Sequence, residues 1–510
     1  MAFLVMLFMS CAFILGSLYA VALILPYLRV MSDRRKGRIP QGPPAYPLIG
    51  TLGLDDDAPW VTYKQWAQQY GKDGMFTFFL GPKLHLVITD PEVAKAAYKD
   101  PIIGEGRPET NLSRLFNHHA LAFSKGQMWK DTRRFEIMAL KDFGRGSGSK
   151  NLLESYVQNA ARDLIQDISN QINSTPDQPF STRPAVLKCV ANSIASTLCG
   201  GALRSDDPRF TRITDSVNVV FTEGTTPASI LNVFPWLSHI PPFRQKQAMV
   251  YGRMAESAHM MEEIIAEHRK HFDTSDVRDF IDAYLKEQQE QIKNNGDAGS
   301  FTDMQLVYMS IEMYFAGLDA TLGSLQWAVL LLSSVPEVLQ KCQEEIYQVL
   351  GQGTIASYAD RGQLPYCEAT MSEVFRIGSV DPFGLPHQCT EDVMLNGYTI
   401  PKDTTVFVDY VNIHHSDVYY KDPMVFRPER FLDDQGKFVS SPHSLPFATG
   451  RRMCSGDHFA KMIVFISMVS MIQHFDMTRV LARSRPWTDI LRINGVGVHP
   501  DHFTIRASLR

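Results

Sequence analysis

The chain lacks a strong charge of either sign. Over 510 residues the net charge is −5, which leaves no electrostatic footprint for a nucleic acid. It lacks the cysteine pattern of a zinc module as well. Seven cysteines are scattered at Cys11, Cys189, Cys199, Cys342, Cys367, Cys389 and Cys454. The count is odd and no two have the spacing of a zinc pair, so they read as reduced thiols of a protein facing the cytosol. No G-x-G-x-x-G fingerprint is evident after a strand, so the chain shows no nucleotide-binding unit of its own. Internal repeats and low-complexity tracts are missing too. With 45% hydrophobic residues there is enough apolar material for a sizeable core, which excludes disorder.

The N-terminus lacks charge altogether from Met1 to Leu28. Roughly 20 apolar residues span a bilayer core, so this run is long enough. A cleaved signal peptide is the competing reading, but the run is too long for one and has no basic start. Arg29, Arg34, Arg35, Lys36 and Arg38 follow, and positive charge marks the cytoplasmic side. Residues 1–28 are therefore expected to form a single membrane anchor, and 29–50 a basic, proline-rich linker stiffened by Pro40, Pro43, Pro44 and Pro47. Residues 51–510 form the body on the cytosolic side.

That body reads as mainly α with a minor β part. Helical patterns cover Leu152–Ile172, Met249–His271, Asp303–Val335 and Pro336–Leu350. Met75 to Asp90 reads as two strands about a Gly81-Pro82 turn, and Asn396-Gly397 is a strong hairpin signal. Gln288 to Gly299 is polar and reads as a loop. The apolar, proline-broken Ile230–Phe243 is either a buried connection or a lid that touches lipid.

Chemistry concentrates near Cys454. A glycine-bounded loop presents it just before a long apolar helical pattern. Backbone N–H groups and the helix dipole there favour a thiolate. Gly450 and Gly456 permit a tight turn beside a flat ligand, Phe447 can shield the sulfur, and Arg452 can reach an anionic group. A lone cysteine is more often a small buried hydrophobe. Here, however, Phe447-x-x-Gly450-x-Arg452-x-Cys454-x-Gly456 matches five typed positions at fixed spacing, and this resembles the haem-binding signature of the cytochrome P-450 family. "EVFR" then places Glu373 and Arg376 where they can pair, and "FRPERF" supplies Arg430; in the family these three form a buried structural lock. "GQMWKDTRRF" puts Trp129 and Arg133 on one helix face, where family members hold a haem propionate. His387 in "LPHQCT" matches a second propionate partner, although alone it would read as a structural histidine. The resemblance covers nearly the whole chain and is nearest to the animal microsomal family 2-type branch. It implies the P-450 fold, with 51–510 as a haem-binding catalytic domain that carries haem b on the Cys454 thiolate.

The apolar helix pattern around "YFAGLDATLG" contains one carboxylate, Asp319, and a buried acid is costly unless paired or useful. The family pattern there is a small residue, Gly, any residue, an acid and then a hydroxyl. Ala316, Gly317 and Asp319 match it, and the resemblance makes them a groove for oxygen and an acid that delivers protons through water. Ala320 stands where the hydroxyl is usual. Thr321 lies one residue on, about 100° around a helix, and replaces it only if the helix is locally unwound. Three readings of Ala320 follow: water and Asp319 suffice, a substrate hydroxyl fills the gap, or the enzyme does not activate oxygen.

The resemblance implies a monooxygenase in the endoplasmic reticulum membrane. It would insert one oxygen atom into a lipophilic small molecule, a steroid, fatty acid or xenobiotic. NADPH would serve through a separate reductase, with cytochrome b5 a further partner. Lys130 and Arg134 lie on the helix that faces the reductase in the family, or on an ordinary solvated face. Substrate contacts are expected from the Arg107–His119 loop, Phe221, Met313, Ala316, Phe383 and, on the "RINGVGVHP" hairpin tip, Val496. An oxygen-independent isomerase or dehydratase, and a non-catalytic haem-based binding protein, are the alternatives.

Overall fold

In the computed structural model the described residues are 21, 24–55, 58–145, 152–201, 203, 205–224, 230–480, 492–494 and 497–510. Most of the expected anchor, residues 1–20, and the hairpin residues Gly495 and Val496 lie outside them. Helix accounts for 59% of the fold and strand for 10%, the expected mainly α architecture. The longer helices are α1 (Gly126–Arg145), α2 (Leu152–Ser174), α3 (Arg183–Cys199), α4 (Pro208–Gly224), α5 (Phe243–Lys270), α6 (Phe280–Asn295), α7 (Asp303–Ser334), α8 (Pro336–Leu350), α9 (Pro365–Gly378) and α10 (Asp457–His474).

The centre is α7, which packs against α3, α5, α9 and α10. Its start is set by Thr302, whose side chain accepts the Gln305 N–H at 3.1 Å. Its end is set by Pro336, which restrains Val335 to an extended backbone and opens α8 as its first residue. Among the described residues α7 is the one helix long and apolar enough to cross a membrane, yet 78% of its apolar window is buried in the protein. It is the core helix, apolar nearly all round because neighbours cover nearly every face.

Strands β1 (Ala45–Tyr46), β2 (Gly50–Thr51), β3 (Met75–Leu80), β4 (Lys83–Ile88), β5 (His387–Gln388) and β8 (Thr405–Val408) form a sheet in the order β1-β2-β3-β4-β8-β5. β3 and β4 pair antiparallel from Met75↔Ile88 to Leu80↔Lys83, about the expected turn. β6 (Val393–Leu395) and β7 (Tyr398–Ile400) close on Asn396 and Gly397, at φ 48° and 84°, the left-handed pair that a two-residue hairpin needs. β9 (Phe475–Val480) pairs with β12 (Thr504–Leu509), and β10 (Arg492–Asn494) with β11 (Gly497–His499).

One expectation is corrected. Gln288 to Asn295 is not loop but the last turns of α6, which stops at Gly296 (φ 85°); most of its polar side chains face solvent. The linker is bonded to the sheet. The Thr77 N–H of β3 donates to Gln41 O at 2.9 Å, and the buried Arg34 guanidinium donates to Thr77 O at 2.7 Å.

The predicted lock is assembled. Arg376 meets both Glu373 oxygens at 2.7 Å, and Arg430 reaches one at 2.9 Å. Glu373 and Arg376 are fully buried, and Arg376 also donates to His414 O and Pro423 O. Removal of one partner would strand a buried charge. Glu373→Ala should lower stability by about 3–5 kcal/mol, read as a fall in the chemical-denaturation midpoint.

A second buried pair joins α5 to α6. His268 Nε2 lies 3.0 Å from Asp279 Oδ2, and Nδ1 lies 2.9 Å from Ile264 O. Both partners are acceptors, so the ring is an imidazolium. Nearby Asp282 is already held by Arg278 at 2.6 and 2.9 Å, and the group is satisfied without a metal. Burial lowers the His268 pKa, but the Asp279 bond and charge outweigh it, and the net shift is upward. A raised folded pKa gives stability that is full below the unfolded value, about 6.5, and lost as pH rises through the folded one. Thermal midpoints should therefore fall above neutral pH more steeply in the parent than in His268→Gln.

Candidate functional site

Leu445 to Gly456 forms the loop before α10. Cys454 N donates to Phe447 O at 3.0 Å, and Arg451 N to Tyr98 O at 3.1 Å. Gly450 has φ +78°, and a Cβ there would stand 2.3 Å from the Tyr98 carbonyl oxygen. Both the backbone conformation and the contact require glycine. Gly456 differs from expectation: it caps α10 at φ −91°, and a Cβ there meets nothing within 4 Å. It leaves open space rather than making the turn. Phe447 packs edge-on against Phe375 of α9, ring centroids 5.2 Å apart.

Cys454 is exposed by area, but the space it faces is interior. Burial pushes its thiol up to about 12, against the bond from Gly456 that would lower it, with Asp457, Glu136 and Asp381 adding negative charge. Burial works against the helix dipole here, so the expected thiolate depends on a partner at the sulfur. Only a cation at the sulfur would draw the proton off.

Around the loop stand three arginines with no ion pair among the described residues, Arg107, Arg133 and Arg452. Arg452 donates to the carbonyls of Glu105, Leu121, Ala122 and Ser124 and lies 4.3 Å over the Trp129 ring. Burial pulls its guanidinium down to about 9, and the charges of Arg107 and Arg133 pull the same way. Arg107 donates to Ala122, Leu385 and Pro386 carbonyls, and burial takes it down to about 10. Arg133, one turn after Trp129 on α1, donates to Met453 O at 2.8 Å, and it too is lowered by burial. The buried Trp129 Nε1 has no partner. Glu312 on α7 does not neutralise this cluster. It accepts the Leu121 and Ala122 N–H groups, and burial with the charge of Glu136 pushes it up to about 8.

His387 is placed differently. Its Nδ1 faces Ile103 O at 3.0 Å and its ring stacks on Tyr98 at 3.9 Å. Burial, then Arg107, hold it well below the usual histidine range. The Ile103 bond engages Nδ1 alone.

α7 runs unbroken through residues 314–323. Ala316 and Ala320 are exposed, four residues apart on one face, whereas Thr321 is buried. Thr321 therefore does not stand in for the hydroxyl missing at 320. Gly317 faces another way: a Cβ there would sit 3.0 Å from Ile194 Cδ1, so it serves close packing with α3. Asp319 flanks the open face. Asp381, exposed by area after α9, joins the face to the loop: it feels the charges of Asp319 and Arg107 and acts on Cys454. Burial pushes its carboxyl up to about 6.

Of the expected substrate contacts, Phe383 is core: its ring packs 5.3 Å from Tyr63 and 6.4 Å from Trp60. Phe221 is buried and lies edge-on to Phe315 of α7 at 6.0 Å, and Met313 is half-buried. Arg107 and Asp381 were not singled out from the sequence. Only the loop boundary marked the former, and no local pattern marks the latter.

A thiol before a buried helix, facing open space ringed by unpaired cations and an orphaned indole N–H, defines a site for a flat, doubly anionic metal macrocycle. The comparisons agree. The Cytochrome P450 family model matches residues 40–505. Cytochrome P450 2J3 of Rattus norvegicus is 32% identical over 450 residues, 87% of each chain. Cytochrome P450 2U1 of Rattus norvegicus is 31% identical over 89% of each, and Cytochrome P450 18a1 of Drosophila melanogaster 28% over 96% of this chain and 90% of the relative. The chain belongs to the cytochrome P450 family, oxidoreductases of the monooxygenase type with haem on a cysteine thiolate. The residues fit haem: Cys454 would hold the iron, and Trp129, Arg107, Arg133 and Arg452 would offer donors for its two carboxylates.

The contrast between the two glycines is a test. Gly450→Ala should lose most bound haem, read as haem absorbance per chain in the purified protein, while Gly456→Ala should keep a larger share.

Proposed function

We propose that this chain is a membrane-anchored monooxygenase that inserts one atom of O2 into a lipophilic small molecule, a steroid, fatty acid or xenobiotic. Electrons come from NADPH through a reductase, with cytochrome b5 as an accessory donor. The observation that carries this reading is the loop that presents Cys454 before α10 among Arg107, Arg133, Arg452 and the Trp129 indole. Haem, when bound, supplies the oxidation. The chain's own residues hold it, exclude water and move protons, and Asp319 is the acid beside the open face.

The lipid-side reading rests on exposed apolar residues. Trp236 is 56% and Ile240 43% exposed in the proline-broken segment, and Ile49 and Leu52 are exposed beside β2. The two regions adjoin, since a Cβ on Gly81 would meet both Val233 and the Leu48 carbonyl. A cavity next to them is lined by Leu80, Arg107, Leu112, Phe123, Val233 and Phe407, a mainly apolar entrance suited to a substrate arriving from lipid. Lys130, Arg134 and Arg451 are exposed near the Cys454 loop and suit an acidic electron donor. These features, with residues 1–28, support the endoplasmic reticulum membrane as the location. Ala320, exposed where a hydroxyl is usual, is the observation that favours the oxygen-independent alternative.

The test is product mass spectrometry with isotopically labelled dioxygen, reductase, NADPH and a panel of sterols and fatty acids. One labelled oxygen per product is expected. Product formed without label or NADPH would replace this reading with an isomerase or dehydratase.

A further inference from the structure

β11 is pinned against α7. Val498 N donates to Val380 O at 2.7 Å, and Trp327 Nε1 donates to Val498 O at 3.0 Å. The next residue, His499, is thereby laid along the helix. Its Nε2 stands 3.0 Å from Asp319 Oδ1. One turn on, a Cβ at Gly323 would meet His499 Cε1 at 3.0 Å and Nδ1 at 3.1 Å. The missing side chain of Gly323 is thus the room the imidazole occupies, and Asp319 and Gly323 share its ridge of the helix.

The His499 side chain is 5% exposed, and among the described residues neither ring nitrogen has a hydrogen bond. The 3.0 Å approach is close enough for one but is not aligned with an N–H direction. A buried imidazole without partners is costly, and here the nearest charged group is the acid that borders the open face. The other charged groups that bear on this corner are Arg183 at the start of α3 and Asp381 after α9. A guanidinium does not give up its proton. Ala320 has no hydroxyl, and Thr321 is buried.

We propose that His499 is a positioning residue for Asp319 and exchanges a proton with it, so that the pair handles the protons a hydroxyl at position 320 would otherwise help to move. Asp319 releases its proton toward the Ala316–Ala320 face. A turn of the ring aims Nε2–H at Asp319 Oδ1; the protonated ring then passes that proton to the carboxylate, and solvent returns one proton to the ring. No electron moves in these steps. The proposal rests on the oxygenase reading above and adds to it a residue from the C-terminal hairpin.

The experiment uses the full chain loaded with haem, the reductase and the best-coupled substrate. His499→Gln and His499→Phe are each expected to cut product per NADPH about five- to tenfold and enlarge the solvent deuterium isotope effect, with substrate Kd within about twofold. Asp319→Asn/His499→Gln should be no worse than Asp319→Asn alone. Wild-type coupling and isotope effect in His499→Gln would overturn the proposal, as would losses that add in the double variant. A thermal-midpoint cycle on the same four proteins reads the pair without turnover: non-additive shifts are expected, and additive ones overturn the pairing. If the parent makes no NADPH-dependent product, the oxygenase reading fails, while the thermal cycle still decides whether the pair exists.

Discussion

Everything at the centre of this protein depends on positive charge that the chain does not itself neutralise. The charges of Arg107 and Arg133 depress Arg452, and that of Arg133 depresses Arg107, while the acids Glu136 and Glu312 are both pushed toward their neutral forms by burial. Such a cluster is tolerable because main-chain carbonyls solvate each guanidinium and an aromatic ring backs one of them. It is completed only by an anion from outside the polypeptide. The same logic with opposite sign governs Cys454, whose thiol waits for a cation. Haem would meet both demands at once, held by Cys454 at its iron and by the arginines at its carboxylates.

The parts of this design that were legible in the sequence are those written locally. The loop from Phe447 to Gly456 is a single stretch in which spacing carries the chemistry, and the strand pair at Gly81-Pro82 and the hairpin at Asn396-Gly397 are set by their own turn residues. The lock could be anticipated because Glu373 and Arg376 share one helical turn. The structure then added what spacing does not encode, the main-chain carbonyls that answer the remaining donors.

What was not legible depends on which face a residue turns inward. Phe383 and Asp381 are two residues apart, and nothing in their order says that the aromatic is core and the acid faces the interior. Gly317 and Gly323 look alike on paper, but one admits Ile194 and the other an imidazole. Arg107 and His499 meet the site only through tertiary contacts, one from a loop near the sheet and one from the last hairpin, far from the helix they serve. His387 matched a pattern, but spacing did not say that Tyr98 and Ile103 would hold its ring.

The composition of α7 also bears on how the chain is made. A helix this apolar, emerging before α9 and α10 exist to cover it, is a plausible substrate for the membrane-insertion machinery, and its failure to cover the core would be fatal. A carboxylate near the middle of a candidate span raises the cost of insertion by roughly 2.5–3.5 kcal/mol. Glu312 and Asp319 both lie near the middle of α7. The acids at the heart of the finished protein thus also bias the nascent helix away from the bilayer.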